Sequence, residues 1–200
     1  NMGFLQAVYA HERFKTGAIS TRFIEQEYPE GFSGAEVTSE TVRIFIGAAV
    51  FLYLKHAERA AQTEQQLPGR PRIIGPRWVV TIDKQQYPVV VKPKEYGYDV
   101  ATETEHIVVR SSSWQLGNRL FQGSINGNAV SVQLRYRSDG FKLIHAGAEA
   151  SVAVHAPRTA ELAVYMPEIK NGASANQLAA PIAGLIVNVL VEEDEEVKAG

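Results

Sequence analysis

The stretch "IFIGAAVFLYL", Ile44 to Leu54, constrains the fold of this 200-residue chain more than any other feature. Its large apolar residues fall on every side of a helix, and Gly47, Ala48 and Ala49 between them allow close packing. A helix that is apolar all round is buried all round. The run is too short to cross a membrane, which takes about 20 apolar residues. The sequence therefore predicts a helix enclosed by other parts of the protein.

The enclosed stretch belongs to a longer predicted helix over residues 39–65. Thr38 or Ser39 can cap its first amides, and Glu40 is favourable in its first turn. The second half, "KHAERAAQTEQQ", is polar. We therefore expect this half of the helix to emerge into solvent.

Residues 77–156 supply what could enclose the helix. They contain about eight short apolar stretches separated by turn signals, of which Asn126-Gly127 is a strong hairpin signal. From Val130 to Tyr136, apolar residues alternate with polar ones, which indicates a half-buried antiparallel strand. A meander of this kind closes its edges best as a barrel. We therefore predict an α+β fold in which an antiparallel barrel of about eight strands wraps around the long central helix.

The remaining parts of the chain flank this unit. Apolar residues at Phe4, Leu5 and Val8, and again at Phe23 and Ile24, predict short N-terminal helices that need a larger partner to cover them. After the stretch "PRTAELAVYM", residues 167–177 are rich in Pro, Gly, Asn, Ser and Ala and are typical of a linker.

Local chemistry indicates no active site. The net charge of −2 gives no basic field for nucleic acid, and the absence of cysteine excludes disulfides and thiolate chemistry. The five histidines form no close metal-binding pair, and we interpret them as surface or capping residues. Glu103 and Glu105 in "TETEH" would share one face of an extended strand, most simply a solvated one. We predict no catalytic, cofactor-binding or metal-binding residue in this chain.

One loop, "QLPGRPRIIGPRW" from Gln66 to Trp78, has the composition of a contact surface. Prolines and glycines oppose regular structure there, and large apolar side chains stand beside arginines, as at protein interfaces. The alternative is that its two isoleucines pack back on the barrel. The predicted partner-binding residues are Leu67, Pro68, Gly69, Arg70, Pro71, Arg72, Ile73 and Ile74.

The last residues resemble the first half of a biotinyl or lipoyl carrier domain. The match lies in the spacing of apolar residues and turns, with Ala183 and Asp194-Glu195 as departures from the usual Pro and Gly-Asp. It rests on Pro181, Gly184, Ile186, Val189, Val191, Val197 and Gly200. The modified lysine of that family would come beyond Gly200, and Lys198 precedes the expected hairpin. The resemblance thus implies a piece of a longer protein.

The rest of the chain resembles the α subunits of propionyl-CoA carboxylases, in the biotin-dependent acyl-CoA carboxylase family. The similarity lies in "FIEQEYPEGF", "RWVVTIDKQQYPVVV", "INGNAVSVQ" and "PRTAELAVYMPE", and it covers essentially the whole chain. It implies four parts. Residues 1–36 would end a biotin carboxylase domain, and residues 37–166 would form the BT adaptor domain, with helix 39–65, hook loop 66–76 and barrel 77–156. Linker 167–177 would follow, and a truncated carrier domain would occupy residues 178–200.

The resemblance also implies a function. The adaptor would dock the α subunit onto the carboxyltransferase β subunit of a hetero-oligomer, with no part for nucleic acid or membrane. Carboxylation of propionyl-CoA to methylmalonyl-CoA would use ATP, bicarbonate, Mg and biotin at sites outside this chain, so that the segment itself is not catalytic. Such enzymes occupy the bacterial cytoplasm or the mitochondrial matrix.

Two alternatives stay open from the residues. The same adaptor could serve a methylcrotonyl-CoA or acetyl-CoA carboxylase. A hot-dog-type CoA thioesterase or dehydratase would also wrap a sheet around a helix, but the buried half-helix has no ionisable residue after Arg43.

Overall fold

A computed structural model describes residues 2–32, 34–63 and 72–166, together with positions 184, 185, 188 and 191. The chain divides into two compact units, Asn1–Val164 and Tyr165–Gly200. The description below concerns the first unit. Apart from the four single positions, the predicted linker and the predicted carrier segment lie outside the described residues.

The helices follow the predicted pattern. Three short ones come first: α1 at Met2–Ala10, α2 at Glu12–Lys15 and α3 at Phe23–Glu27. The long helix α4 spans Ser39–Ala61, and α5 spans Pro157–Ala163. No helix among these described segments is long and apolar enough to cross a membrane.

Both ends of α4 have identifiable caps. The Thr38 hydroxyl accepts a hydrogen bond from the Thr41 amide at 3.2 Å, as predicted for its start. At the other end, the Gln62 amide is shared between the carbonyls of Glu58 and Arg59 at 3.1 and 3.2 Å. This shared bond tightens the last turn, so α4 ends at Ala61, before the predicted 65.

Eight strands form a closed barrel in chain order, with every neighbouring pair antiparallel. This confirms the predicted fold. The strands are β1 Arg77–Ile82, β2 Gln85–Lys94, β3 Gly97–Ala101, β4 His106–Arg110, β5 Leu120–Ile125, β6 Asn128–Arg137, β7 Gly140–His145 and β8 Ala148–His155.

The ladder between β4 and β5 is the shortest around the barrel. Only Val109↔Ile125 and Arg110↔Ser124 pair there, against six pairs between β5 and β6. The Asn126 side chain adds two hydrogen bonds between β4 and the end of β5. Its Oδ1 accepts from the Val108 amide at 2.7 Å, and its Nδ2 donates to the His106 carbonyl at 3.3 Å. The hairpin residue predicted from "NG" therefore also helps to close the barrel.

The first half of α4 lies inside the barrel. Ile46, Phe51 and Leu52 point in different directions, yet their exposed fractions are 2%, 1% and 0%. The Phe51 ring packs against Tyr98 of β3, with ring centroids 5.8 Å apart, and against Phe121 of β5 at 5.1 Å. This confirms that the all-round apolar helix is enclosed.

Residues that precede α4 contact one end of the barrel. At the end where α4 begins, the Ala35 amide donates to the Gly147 carbonyl at 3.1 Å, and Ala7 of α1 lies beside Gly147. We call the opposite end, where α4 finishes, the exit end. It comprises residues 55–61 of α4, the segment 72–77 and residues 92–94 of β2.

Candidate partner-docking surface

The predicted contact loop falls partly within the described structure. Arg72, Ile73 and Ile74 are described, and they lead to β1 at the exit end. The other predicted partner-binding residues lie outside the described residues: Leu67, Pro68, Gly69, Arg70 and Pro71.

The segment is anchored to the barrel just beyond its isoleucines. The Pro76 carbonyl accepts from the Val91 amide at 2.7 Å, which continues the β1–β2 ladder by one bond. The indole N–H of Trp78 donates to the Gly75 carbonyl at 2.9 Å. The Trp78 ring in turn packs on Tyr53 of α4, with ring centroids 5.0 Å apart. These contacts fix the backbone that presents Ile73 and Ile74.

The two isoleucines have different surroundings. Ile73 is 86% exposed, the most exposed isoleucine among those described. Ile74 is half-buried and packs against the barrel core. Ile74 therefore packs back on the barrel, as in the alternative interpretation. Ile73 projects into solvent, and its contact with a partner stays a prediction.

A groove of about 280 Å³ lies beside Ile74 at the exit end. The last turns of α4 form one wall, the segment 74–76 forms another, and strands β2 and β3 form the floor. It is lined by Leu54, Glu58, Ile74, Gly75, Pro76, Val91, Pro93 and Tyr98. Apart from the Glu58 carboxylate and the Tyr98 hydroxyl, the side chains that line it are aliphatic, so the groove suits an apolar side chain of a partner.

The carboxylate in this groove is held in place by two donors. The Tyr98 hydroxyl donates to Glu58 Oε1 at 2.6 Å, and Lys55 Nζ donates to Oε2 at 3.0 Å. Burial, together with the bond to Glu58, raises the pKa of Tyr98 above its ordinary range. The phenol therefore stays protonated and remains a donor. Sequence reasoning missed this trio, because 40 residues separate Tyr98 from Glu58 and no local pattern links them.

His56 is less exposed than the sequence interpretation assumed. It lies between Trp114 and Tyr136, with ring centroids 6.3 and 5.6 Å away, and its Nε2 is buried without a hydrogen-bond partner. Burial lowers the pKa of His56, which favours the neutral ring. His11 does act as a cap, since its Nδ1 accepts from the Arg13 amide at 3.2 Å.

The paired carboxylates considered for acid–base work do not share a strand face. Residues 102–105 form the connection between β3 and β4, where the Thr102 hydroxyl accepts from the Glu105 amide at 3.0 Å. This bond curls the chain, so the strand interpretation of "TETEH" is wrong. Glu105 pairs with Arg43 of α4 at 2.5 Å, while Glu103 is exposed. Within the described residues, no group of three or more histidines and carboxylates is placed to hold a metal ion.

Comparison with known proteins identifies the class to which this barrel belongs. Residues 45–168 match the family described as the propionyl-coenzyme A carboxylase BT domain. The match covers more than half of the chain, so the chain belongs to this family.

Individual relatives are propionyl-CoA carboxylase alpha chains. The chain is 32% identical over its whole length to the propionyl-CoA carboxylase alpha chain of Ruegeria pomeroyi, of which it covers 29%. It is 26% identical to the mitochondrial propionyl-CoA carboxylase alpha chains of Mus musculus and Homo sapiens, of which it covers 28%. The chain thus spans less than a third of the length of these curated relatives. None of them is a thioesterase or dehydratase, so that alternative gains no support.

Proposed function

We propose that this chain is the adaptor segment of the α subunit of a propionyl-CoA carboxylase, and that its exit end docks onto the carboxyltransferase β subunit. The observation that carries the docking role is Ile73. This large apolar side chain is 86% exposed, so a partner that covered it would gain the free energy of burying its apolar surface. The name shared by the relatives supplies the class of enzyme.

The geometry around Ile73 suits docking. The backbone bonds at Gly75 and Pro76 hold the segment in place before any partner arrives. Pre-organisation of this kind reduces the entropy lost on association. The neighbouring groove would take an apolar side chain of the partner while Ile73 enters a pocket of the partner. Docking would therefore be reciprocal, with each subunit inserting a side chain into the other.

The carboxylation reactions would take place in other parts of the assembly. Biotin, ATP and Mg would serve the carboxylase at sites outside this chain, in a bacterial cytoplasm or a mitochondrial matrix. The adaptor would hold the two catalytic centres at a fixed separation, so that a tethered biotin reaches both by local motion. The relatives favour propionyl-CoA over methylcrotonyl-CoA or acetyl-CoA, although the β subunit would select the acyl group.

Calorimetric titration of this chain against the carboxyltransferase β subunit from the same source tests the proposal. We expect Ile73→Asp to weaken binding by about 2 kcal/mol or more, the range for a central interface anchor, because a carboxylate would be buried in an apolar pocket. Ile19→Asp is a matched control, since Ile19 is 50% exposed and precedes α3, away from the exit end. It should bind as the unchanged chain does.

Ile74→Asp separates docking from folding. Because Ile74 packs on the core, this change should lower the thermal stability of the barrel, whereas Ile73→Asp should not. Absence of binding between the unchanged chain and the β subunit would contradict the proposal, as would equal affinities for the Ile73 and Ile19 variants.

A further inference from the structure

Several cations lie next in sequence to residues that line the groove at the exit end. Arg59 follows the groove residue Glu58, Arg77 follows Pro76, and Lys92 and Lys94 flank Pro93; all four are exposed. Arg59, Arg77 and Lys92 form no ion pair with any described residue. Two further cations complete this set, which we call the basic rim: Lys55, Arg59, Arg72, Arg77, Lys92 and Lys94.

Among the described residues, few carboxylates lie close to the basic rim. Glu58 is already paired with Lys55, and Asp99 lies 3.8 Å from Lys94 and 3.3 Å from Arg110. Asp99 also lies opposite Lys92 in the β2–β3 ladder, and Glu161 of α5 lines one cavity together with Arg77. Glu95, in the turn after β2, is exposed. Among the described residues, cations therefore still outnumber carboxylates around the groove.

The opposite end of the barrel carries the opposite sign. Glu36 precedes α4, Glu40 lies in its first turn, and Glu103 follows β3 near that end; all three are exposed. Glu149 also lies there but is paired with Lys142 at 2.7 Å, and Glu103 lines one cavity together with Arg77. Arg43 is neutralised there by Glu105. Because the whole chain has a net charge of only −2, this polarity arises from the placement of the charges and not from composition.

The dipole of α4 accounts for only part of this pattern. Cations near a helix C-terminus and anions near its N-terminus are favourable, which suits Arg59 and Glu40. That effect fades beyond the terminal turn. Arg77, Lys92 and Lys94 belong to strands of the wall, so stabilisation of the helix does not explain them.

We infer that the basic rim recognises an acidic surface on its protein partner, and that this attraction steers the two subunits together. The inference rests on the proposed docking function and specifies the chemistry of the partner: a patch rich in aspartate or glutamate around an apolar projection that fills the groove. Complementary charge of this kind raises association rates more than it slows dissociation. Exposed cations are screened by salt, so the steering depends on ionic strength.

Stopped-flow association with the β subunit at 50 and 300 mM NaCl measures this steering. We expect the association rate constant to fall about tenfold or more over that range, with little change in the dissociation rate. The double variant Arg59→Glu/Lys92→Glu should associate about tenfold more slowly at 50 mM NaCl and should lose most of its salt dependence.

The double variant Arg22→Glu/Lys15→Glu is the matched control. It makes the same change of charge at exposed positions near α2 and α3, and it should keep the rate and salt dependence of the unchanged chain. Arg59→Gln/Lys92→Gln, with thermal melts alongside, provides a milder change in case charge reversal unfolds α4; it should give an intermediate rate.

The outcomes separate the two proposals. Binding that is unaffected by salt and by the rim variants would overturn the acidic-partner inference and leave the docking function standing. Complete absence of binding to the β subunit would overturn both. If the rim variants abolished salt-dependent binding to duplex DNA or anionic vesicles but left β-subunit association unchanged, the rim would serve a different class of partner, and the inference would be wrong.

Discussion

Ile46 and Ile73 have the same side chain and opposite surroundings. Ile46 lies within α4 inside the barrel and is 2% exposed, whereas Ile73 lies on the segment before β1 and is 86% exposed. The first is covered on every side by the strands of its own chain. The second has no such cover, although the backbone beside it is fixed.

The same residue type therefore stabilises the fold at one position and remains accessible to a partner at the other. Inside the barrel, each apolar group removed leaves a cavity that the closed wall cannot easily fill. At Ile73, by contrast, the exposed side chain can be removed with little disturbance of packed neighbours. Mutations in the two regions should therefore separate loss of folding from loss of binding.

The largest effect is expected for Phe51→Ala. Its ring touches Tyr98, Trp114 and Phe121, and truncation of a packed aromatic ring costs about 3–5 kcal/mol. Denaturant titration followed by tryptophan fluorescence measures this loss, because both tryptophans of the chain lie in the barrel unit. A loss below about 1 kcal/mol, near the range for surface changes, would contradict the enclosed-helix description.

A smaller loss is expected for Gly47→Val. A Cβ at Gly47 would meet Ile125 at 3.0 Å and Ile107 at 3.2 Å, so the extra methyl groups of valine would have to displace strand residues. Overpacking of this kind costs about 1–3 kcal/mol. The same titration measures it, with Gly47→Ala as the control that adds only the Cβ. Equal or greater stability of the valine variant would show that α4 and β4–β5 are packed less closely than described.

The smallest effect is expected for Ile73→Asp on folding. Because this side chain is solvated already, the free energy of unfolding should change by no more than about 0.5 kcal/mol. The measurement is the same titration, run on the variant used for calorimetry with the β subunit. A loss of several kcal/mol would remove the contrast with Ile46 and place Ile73 among the residues that stabilise the fold.

Much of the fold could be predicted from the sequence because its signals are local. The apolar run in α4, the alternation along β6 and the Asn126-Gly127 turn each specify their own conformation, and one economical arrangement combines them. Asn126 and Gly127 do adopt positive φ, 50° and 85°, as the turn between β5 and β6 requires.

The candidate site was less predictable because it depends on residues that are distant in the chain. The difference in exposure between Ile73 and Ile74 follows from the hydrogen bonds to the Gly75 and Pro76 carbonyls. The groove forms only because β2 and β3 lie beside α4. The basic rim likewise combines residues of one helix, one segment and two strands. None of these placements can be inferred until the strand register is known.

The closed topology also affects the order in which the chain folds. Helix α4 precedes all eight strands, so during synthesis the central element emerges first and the wall can then assemble around it. Seven of the strand pairings join consecutive strands, and such hairpins form within about 1–10 μs. Only the pairing of β1 with β8, for example Val80 with Val154, joins residues far apart in the chain. We therefore expect this last ring closure to set the pace of refolding, since non-local pairings form slowly.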